Sequence, residues 1–398
     1  MAKSKNGGPT YVDVKLDEAL NDRMIEARRH LHRHPELSNE EHETQSYIRK
    51  WLKDEGVGES VVTAGTGAFV DVVGFAGPSN RKLAIRVDID ALPITEASGV
   101  PFSSVKLGVM HACGHDAHTA MGLATAALLS RNRDRFAGTV RLVFQPAEEA
   151  EPLGGRRIVL DEKLLEDVDG VIGIHVDPYV PTGTLGASAG SFTLASDIFD
   201  IQVVGRASHA AKPNEGVDAI AVGAAIVSEV QKLVSRETDA FDALIVSITG
   251  FVAGGSYNVL AEEARLRGTI RSGRPETRSR AHERLRQVAT GIALAHRAEA
   301  KIEITTGEPS VQNDATMVEL IQDCAEDTFA PLAGWTAADD FGFYSEAKPS
   351  VYFRLGIRNE REGSVHPLHH PKFRVDESAM SLGARVMTAA ALRFLGRG

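Results

Sequence analysis

Residues 83–93 read LAIRVDIDALP. The first seven are a strand, and its carboxyl end carries Asp88 and Asp90. The same form returns twice. TVRLVF (139–144) runs into QPAEEAE, and GVIGIHV (170–176) ends on His175. Between and before these strands lie helices. Residues 17–55 mix charged and apolar positions at helical spacing with a break at Pro35, and Thr119–Ser130 is a helix of small and apolar residues. Residues 61–76, β-branched and punctuated by glycine, read as strands. Apolar strands alternating with helices predict an α/β domain whose sheet is largely parallel and covered on both faces.

The pattern changes near residue 186. DIFDIQVVG (197–205), ALIVSITGFV (243–252), EARLRGTI (263–270) and AKIEITT (300–306) read as strands. Val217–Val234 and Pro275–Ala298 read as helices. The order β-α-β-β-α-β is the split arrangement of ferredoxin-like domains. A helix over 312–328, a strand at VYFRLG (351–356) and a closing helix over Glu377–Phe394 follow it. The expected division is an α/β domain of residues 1–186 and 308–398, interrupted by a smaller domain over 187–307. Gly183, Gly186, Gly190 and Gly307 mark the two linkers as a hinge.

Composition sets the class. The chain has 398 residues, 43% apolar and 25% charged, the balance of a globular protein of two or three domains. Its formal charge of −10 argues against wrapping nucleic acid. No apolar run approaches the roughly 20 residues of a membrane span. The start, MAKSKNGGPT, has no apolar stretch behind it and does not read as a secretory leader. Two cysteines, Cys113 and Cys324, exclude a disulfide framework and suit a reducing cytosol, so a cytoplasmic location is expected.

Five clusters carry chemistry. MHACGHDAH (110–118) holds three histidines, a cysteine and an aspartate. Cys113 and His115 are two apart and in an extended segment point to one side, as good ligands for zinc-like metals. Asp116 is placed to cap the following helix. FQPAEEAE (144–151) brings Glu148 and Glu149 to a turn after a strand; they fit one metal ligand with one general base beside it, or a solvated helix start. His175 alone fits a satisfied core histidine as well as a ligand. His369 and His370 stand in a loop before Pro371, and Asp88 and Asp90 end the first strand. Three strands delivering ligand-type residues to one carboxyl edge fit a pair of divalent ions with one carboxylate kept as base. The alternating histidines of RRHLHRHPE (28–36) read as structural, spread around a helix surface. His209, in GRASHAAKP, belongs either to the surface or to a segment reaching across to the site.

RRHLHRHPELSNEEHET, VDIDALP, MHACGHDAH, FQPAEE, GIHV, SHAAKPNEGVDAI, GGSYNV, GTIR, DDFGFY and LHHPKF occur in the order seen in the metal-dependent aminoacylase and carboxypeptidase superfamily. The chain resembles most its amidohydrolase subfamily, which includes hippurate hydrolases, N-acyl-amino-acid amidohydrolases and auxin-amino-acid amide hydrolases. The likeness runs from about residue 27 to 377. It implies a di-metal α/β catalytic domain with an inserted ferredoxin-like lid and dimerisation domain. It implies two divalent ions per subunit, drawn from Zn, Mn, Co and Ni. The matching positions imply Cys113, His115, Glu149, His175 and His369 as metal ligands, Glu148 as general base and Asp90 as the aspartate supporting the site. His209 matches the lid histidine that steadies the oxyanion, and Asn258 and Arg271 match lid residues near the substrate. The implied reaction is hydrolysis of the amide bond of a small N-acyl amino acid, acetyl, benzoyl or similar, by a homodimer or higher homo-oligomer. The alternative is a carboxypeptidase or dipeptidase with the same machinery. A non-catalytic metal-binding protein has no need of Glu148 beside Glu149. Two segments depart from the family: Ala261 stands where a proline is common, and Glu151 and Pro152 interrupt a turn usually rich in glycine. Both bear on substrate preference.

Overall fold

A computed structural model describes residues 8–396. The first seven residues of the leader reading lie outside the described residues. In chain order the longer helices are α1 (Glu18–Arg33), α2 (His42–Asp54), α3 (His115–Arg131), α4 (Ala219–Ser235), α5 (Pro275–Ala295), α6 (Ala315–Ala325) and α7 (Met380–Phe394). The strands of the two larger sheets are β1 (Val61–Thr63), β2 (Gly67–Val73), β3 (Lys82–Asp88), β4 (Thr139–Gln145), β5 (Gly170–Pro181), β6 (Leu185–Gly186), β7 (Ala195–Val204), β8 (Leu244–Ala253), β9 (Glu263–Ser272), β10 (Glu299–Thr306) and β11 (Ser350–Arg358). The chain forms two compact units. One holds residues up to Gly190, Gln312–Gly334 and Phe343 onward; the other holds Ser191–Val311 and Trp335–Gly342.

The first unit is built on a sheet in the order β1-β2-β4-β3-β5-β11-β6. Its four central strands, β4, β3, β5 and β11, run parallel. The β1–β2 hairpin and β6 add antiparallel edges. The central strands are apolar on both faces because both are covered. Arg86 is the exception that explains itself: fully buried in β3, it donates from Nε to Gln145 Oε1 at 2.9 Å and from Nη1 to Asp88 Oδ2 at 2.7 Å. Helix α1 starts on Asp17, whose Oδ1 accepts from the Leu20 N–H at 2.8 Å, and ends at the residues before Pro35. Helix α3 packs between α1 and α7 and is buried all round, which its small and apolar residues allow.

The second unit is the β-α-β-β-α-β arrangement read from the sequence. Its antiparallel sheet has the order β10-β7-β9-β8. Helices α4 and α5 cover one face around Ile201, Val203, Ile226, Val230, Leu266 and Leu285. Asp218 caps α4 by accepting from the Ile220 N–H at 2.9 Å. At the base of the sheet Asp197 is buried and accepts from His282 Nε2 at 2.6 Å, Arg278 Nε at 3.0 Å and the Gly307 N–H at 3.1 Å. Trp335 and Ala337 join this unit by backbone hydrogen bonds to Phe192 and Leu194. Two of the four linker glycines have a different task from the expected hinge. A Cβ on Gly186 would strike the Ala330 carbonyl, and one on Gly307 would strike that of Ser196. These two are glycines because neighbouring backbone passes close. Among the described residues no helix is long and apolar enough to cross a membrane.

Candidate metal centre

The carboxyl ends of β3, β4 and β5 and the start of α3 converge in the first unit. Gly114 makes the convergence possible. Its φ of 91° turns the chain sharply, and a Cβ there would run into Val176. Helix α3 therefore begins at His115, four residues before the predicted Thr119, and Cys113 and His115 flank a left-handed turn where an extended segment was expected. They still face one centre. Cys113 Sγ lies 3.4 Å from His175 Nε2. His115 Nε2 lies 3.9 Å from Glu149 Oε1 and 4.0 Å from Glu148 Oε2. His369 Nε2 lies 3.3 Å from Glu149 Oε1. Three overlapping trios, Cys113–His115–His175, Cys113–Glu149–His369 and His115–Glu148–Glu149, each keep their ligand atoms within 4.8 Å of one another.

The donor set fits divalent ions. His115 Nε2 is buried with no hydrogen-bond partner, and buried Glu149 Oε1 has the His369 ring nitrogen near it but outside hydrogen-bond geometry, a costly state for polar atoms that a cation relieves. Burial raises the Cys113 thiol well above its ordinary value, and the charges of Glu149, Glu148 and Asp88 raise it further. Burial alone would lower the His115 imidazole, yet Asp88, Asp90 and Glu149 carry it up to about 10. A pocket that turns a thiol away from ionising and drives an imidazole to hold its proton has an excess of negative charge. Thiolate, imidazole and carboxylate together suit borderline-soft ions.

Asp90 organises the centre from behind. Its Oδ1 lies 3.1 Å from His115 Nδ1, and its Oδ2 accepts the Glu149 N–H at 2.9 Å and the Ser38 hydroxyl at 2.7 Å. This fixes His115 with Nε2 toward Glu148 and Glu149. Asp88, His115 and His118 also bring ligand-type atoms within 4.8 Å of one another, but both ring nitrogens of His118 are already engaged. Its Nδ1 pairs with Asp88 Oδ1 at 2.6 Å, and its Nε2 accepts the Val176 N–H at 2.9 Å, beside His175.

The α1 histidines divide in a way the sequence reading did not foresee. His32 and Arg28 are buried, because they share the inward stripe of Leu20, Met24 and Leu31. Arg28 Nε lies 2.9 Å and His32 Nδ1 2.8 Å from Asp116 Oδ2, and His32 Nε2 lies 3.1 Å from Glu96 Oε1. Asp116 thus forms a buried ion pair and is no helix cap; burial would raise its carboxyl, but Arg28 and His32 hold it far below the usual range. The remaining singled-out residues belong to the second unit. His209 is exposed in the loop after β7, with Nδ1 accepting the Ala211 N–H at 3.1 Å. It pairs with Val259 across an antiparallel bridge, and the Ala210 N–H donates to the Asn258 carbonyl at 3.0 Å, so His209 and Asn258 share one paired loop. Arg271 lies on β9.

Residues 84–393 match the model of peptidase family M20/M25/M40. The chain belongs to this family. The N-acetylcysteine deacetylase of Bacillus subtilis is 38% identical over 385 residues, covering 94% of this chain and 98% of its own. Thermostable carboxypeptidase 2 of Saccharolobus solfataricus is 34% identical over 391 residues, covering 96% and 97%. A solved structure, the YXEP protein of Bacillus subtilis, described as a dinuclear metal binding peptidase from the M20 family, is similar with a TM-score of 0.83 and 36% identity, covering 95% of this chain and 99% of its own. The α/β fold is that of the M20 family, and the protein is a metal-dependent hydrolase.

Proposed function

We propose that this M20 hydrolase cleaves the amide bond of N-acyl amino acids, with acetyl, benzoyl or a similar group as the acyl part. The observation that carries the reading is the set of five ligand-type side chains converging with a sixth group, Glu148, held 4.0 Å from His115. Cys113, His115, Glu149, His175 and His369 hold two divalent ions, drawn from Zn, Mn, Co and Ni. Bound there, the ions supply Lewis acidity that polarises the amide carbonyl and makes water a stronger acid. Glu148 takes the proton of the attacking water and passes it to the leaving amine nitrogen. Asp90 keeps His115 in one tautomer throughout. His209 donates to the developing oxyanion, while Asn258 and Arg271 bind the substrate. The enzyme works in the cytoplasm as a homodimer paired through the 187–307 domain, which also serves as a lid.

The similarity to a deacetylase of N-acetylcysteine supports the N-acyl substrate, and the similarity to a thermostable carboxypeptidase supports the alternative, a carboxypeptidase or dipeptidase. A panel of N-acetyl and N-benzoyl amino acids and dipeptides, each assayed with the four metals, separates them. Turnover confined to dipeptides overturns the N-acyl reading.

A further inference from the structure

Ala147 immediately precedes the Glu148–Glu149 pair and has a φ of 49°, in the left-handed region that disfavours residues with a Cβ. Both of its peptide groups are held. Its carbonyl accepts the Gly154 N–H at 2.8 Å, and its N–H donates at 2.8 Å to Oε1 of Glu41, 106 residues earlier. Glu41 is 0% exposed, and its Oε2 accepts from the Thr66 hydroxyl. Two residues beyond Ala147, the Glu149 N–H is held by Asp90. Glu148 therefore sits between two backbone N–H groups, each fixed by a buried carboxylate from another part of the chain.

Glu41 gives up a local role to do this. It is the N-cap residue of α2, yet its side chain makes no bond to its own helix. That duty passes to Glu36, whose Oε2 accepts the Thr44 N–H at 2.8 Å. A carboxylate buried away from water and turned from its own helix end needs a use elsewhere. Glu41 also lies outside the residues matched by the family model, 84–393.

We infer that Glu41 is a positioning residue for the reaction: through the Ala147 peptide it sets where the Glu148 carboxylate stands. The inference rests on Glu148 as the base. The test is a double-mutant cycle in the metal-loaded enzyme, with Glu41→Leu, Glu148→Gln and the pair, read as kcat, KM, metal content and amide exchange at Ala147. Glu41→Leu lowers kcat by about 10–100-fold with KM and metal content unchanged, and speeds Ala147 exchange. In the Glu148→Gln background it costs little more, because its effect runs through Glu148. Glu41→Gln, which keeps an acceptor for the Ala147 N–H, stays close to wild type. Additive losses, or loss of metal in Glu41→Leu, overturn the inference; so does Glu41→Gln falling as far as the leucine variant. Full activity of Glu148→Gln overturns the base assignment itself. Should Glu41→Leu fail to fold, Thr66→Val, which releases Glu41 Oε2, takes its place in the cycle with the same criterion.

Discussion

Asp88 and Asp90 in the first unit and Asp197 in the second are all buried aspartates at the ends of strands, and their charge is balanced in different ways. Asp197 is complete. A guanidinium, an imidazole and a peptide N–H converge on it. The centre beside Asp90 is not complete: Cys113, Glu148 and Glu149 crowd together, and two buried ligand atoms lack any hydrogen bond. The same residue types make a finished structural pin in one place and a cation-seeking cavity in the other. The practical rule is to ask whether buried polar atoms are satisfied by the chain itself. Where several ligand-type atoms converge and some stay unsatisfied, as at His115 and Glu149, the cluster has room for a cation.

The sharpest break between the two regions comes from Glu148→Gln. Turnover should fall by about 10²–10⁴-fold while the bound metal stays, since the amide keeps the shape but cannot take a proton. Rates near wild type at full metal content would remove Glu148 from the mechanism. His209→Ala tests whether the second unit contributes to the chemistry at all. A loss of about 10²–10³-fold with metal content intact is expected of an oxyanion donor. Unchanged turnover returns His209 to the surface, and lost metal makes it a ligand.

Removing a thiol should matter to metal binding in the incomplete region alone. Cys113→Ala should lower the bound metal, while Cys324→Ala, in α6, leaves it unchanged. Full metal content in Cys113→Ala would reject Cys113 as a ligand. The smallest effect belongs to the completed region. Burial alone would raise the Asp197 carboxyl, but His282 and Arg278 hold it at about 2, below its ordinary 3.8. A depressed carboxyl stabilises the fold above its unfolded value and loses that contribution as pH falls toward the folded one. Thermal melts of wild type and Asp197→Asn should therefore differ by about 1–2 kcal/mol at neutral pH and converge between about pH 4 and pH 2. A difference that persists to pH 2 would show that the pair contributes nothing through ionisation.

Local pattern made some of this molecule readable, and distance hid the rest. The apolar runs of β3, β4 and β5 are buried on both faces, so their carboxyl ends, and the residues placed there, followed from sequence. The start of α3 was hidden, because His115, Asp116 and His118 look like a polar loop until Arg28, His32 and Asp88 are seen to meet them. The stripe of α1 was periodic, yet periodicity cannot say that a histidine at position 32 faces an aspartate 84 residues away. Glu41 stands in the acidic run NEEHE with no local mark of its bond to Ala147. The joining of Trp335–Gly342 to the second unit likewise depends on pairing with residues near 192.

The parallel pairing of β5 with β11 also sets a timetable for synthesis. Strand β5 ends at Pro181 and its neighbour β11 begins at Ser350, with the whole of Ser191–Val311 made in between. At a translation rate of about 5–20 residues per second, β5 waits roughly 8–35 s for the strand that covers its edge. His369, the last of the proposed ligands, follows later still. The second unit owns its core and can fold during that interval, so the nascent chain holds a finished insert inside an unfinished host, with an apolar strand edge bare. Truncated or stalled chains ending before residue 350 should be the forms that aggregate and recruit chaperones, and they hold no complete metal centre.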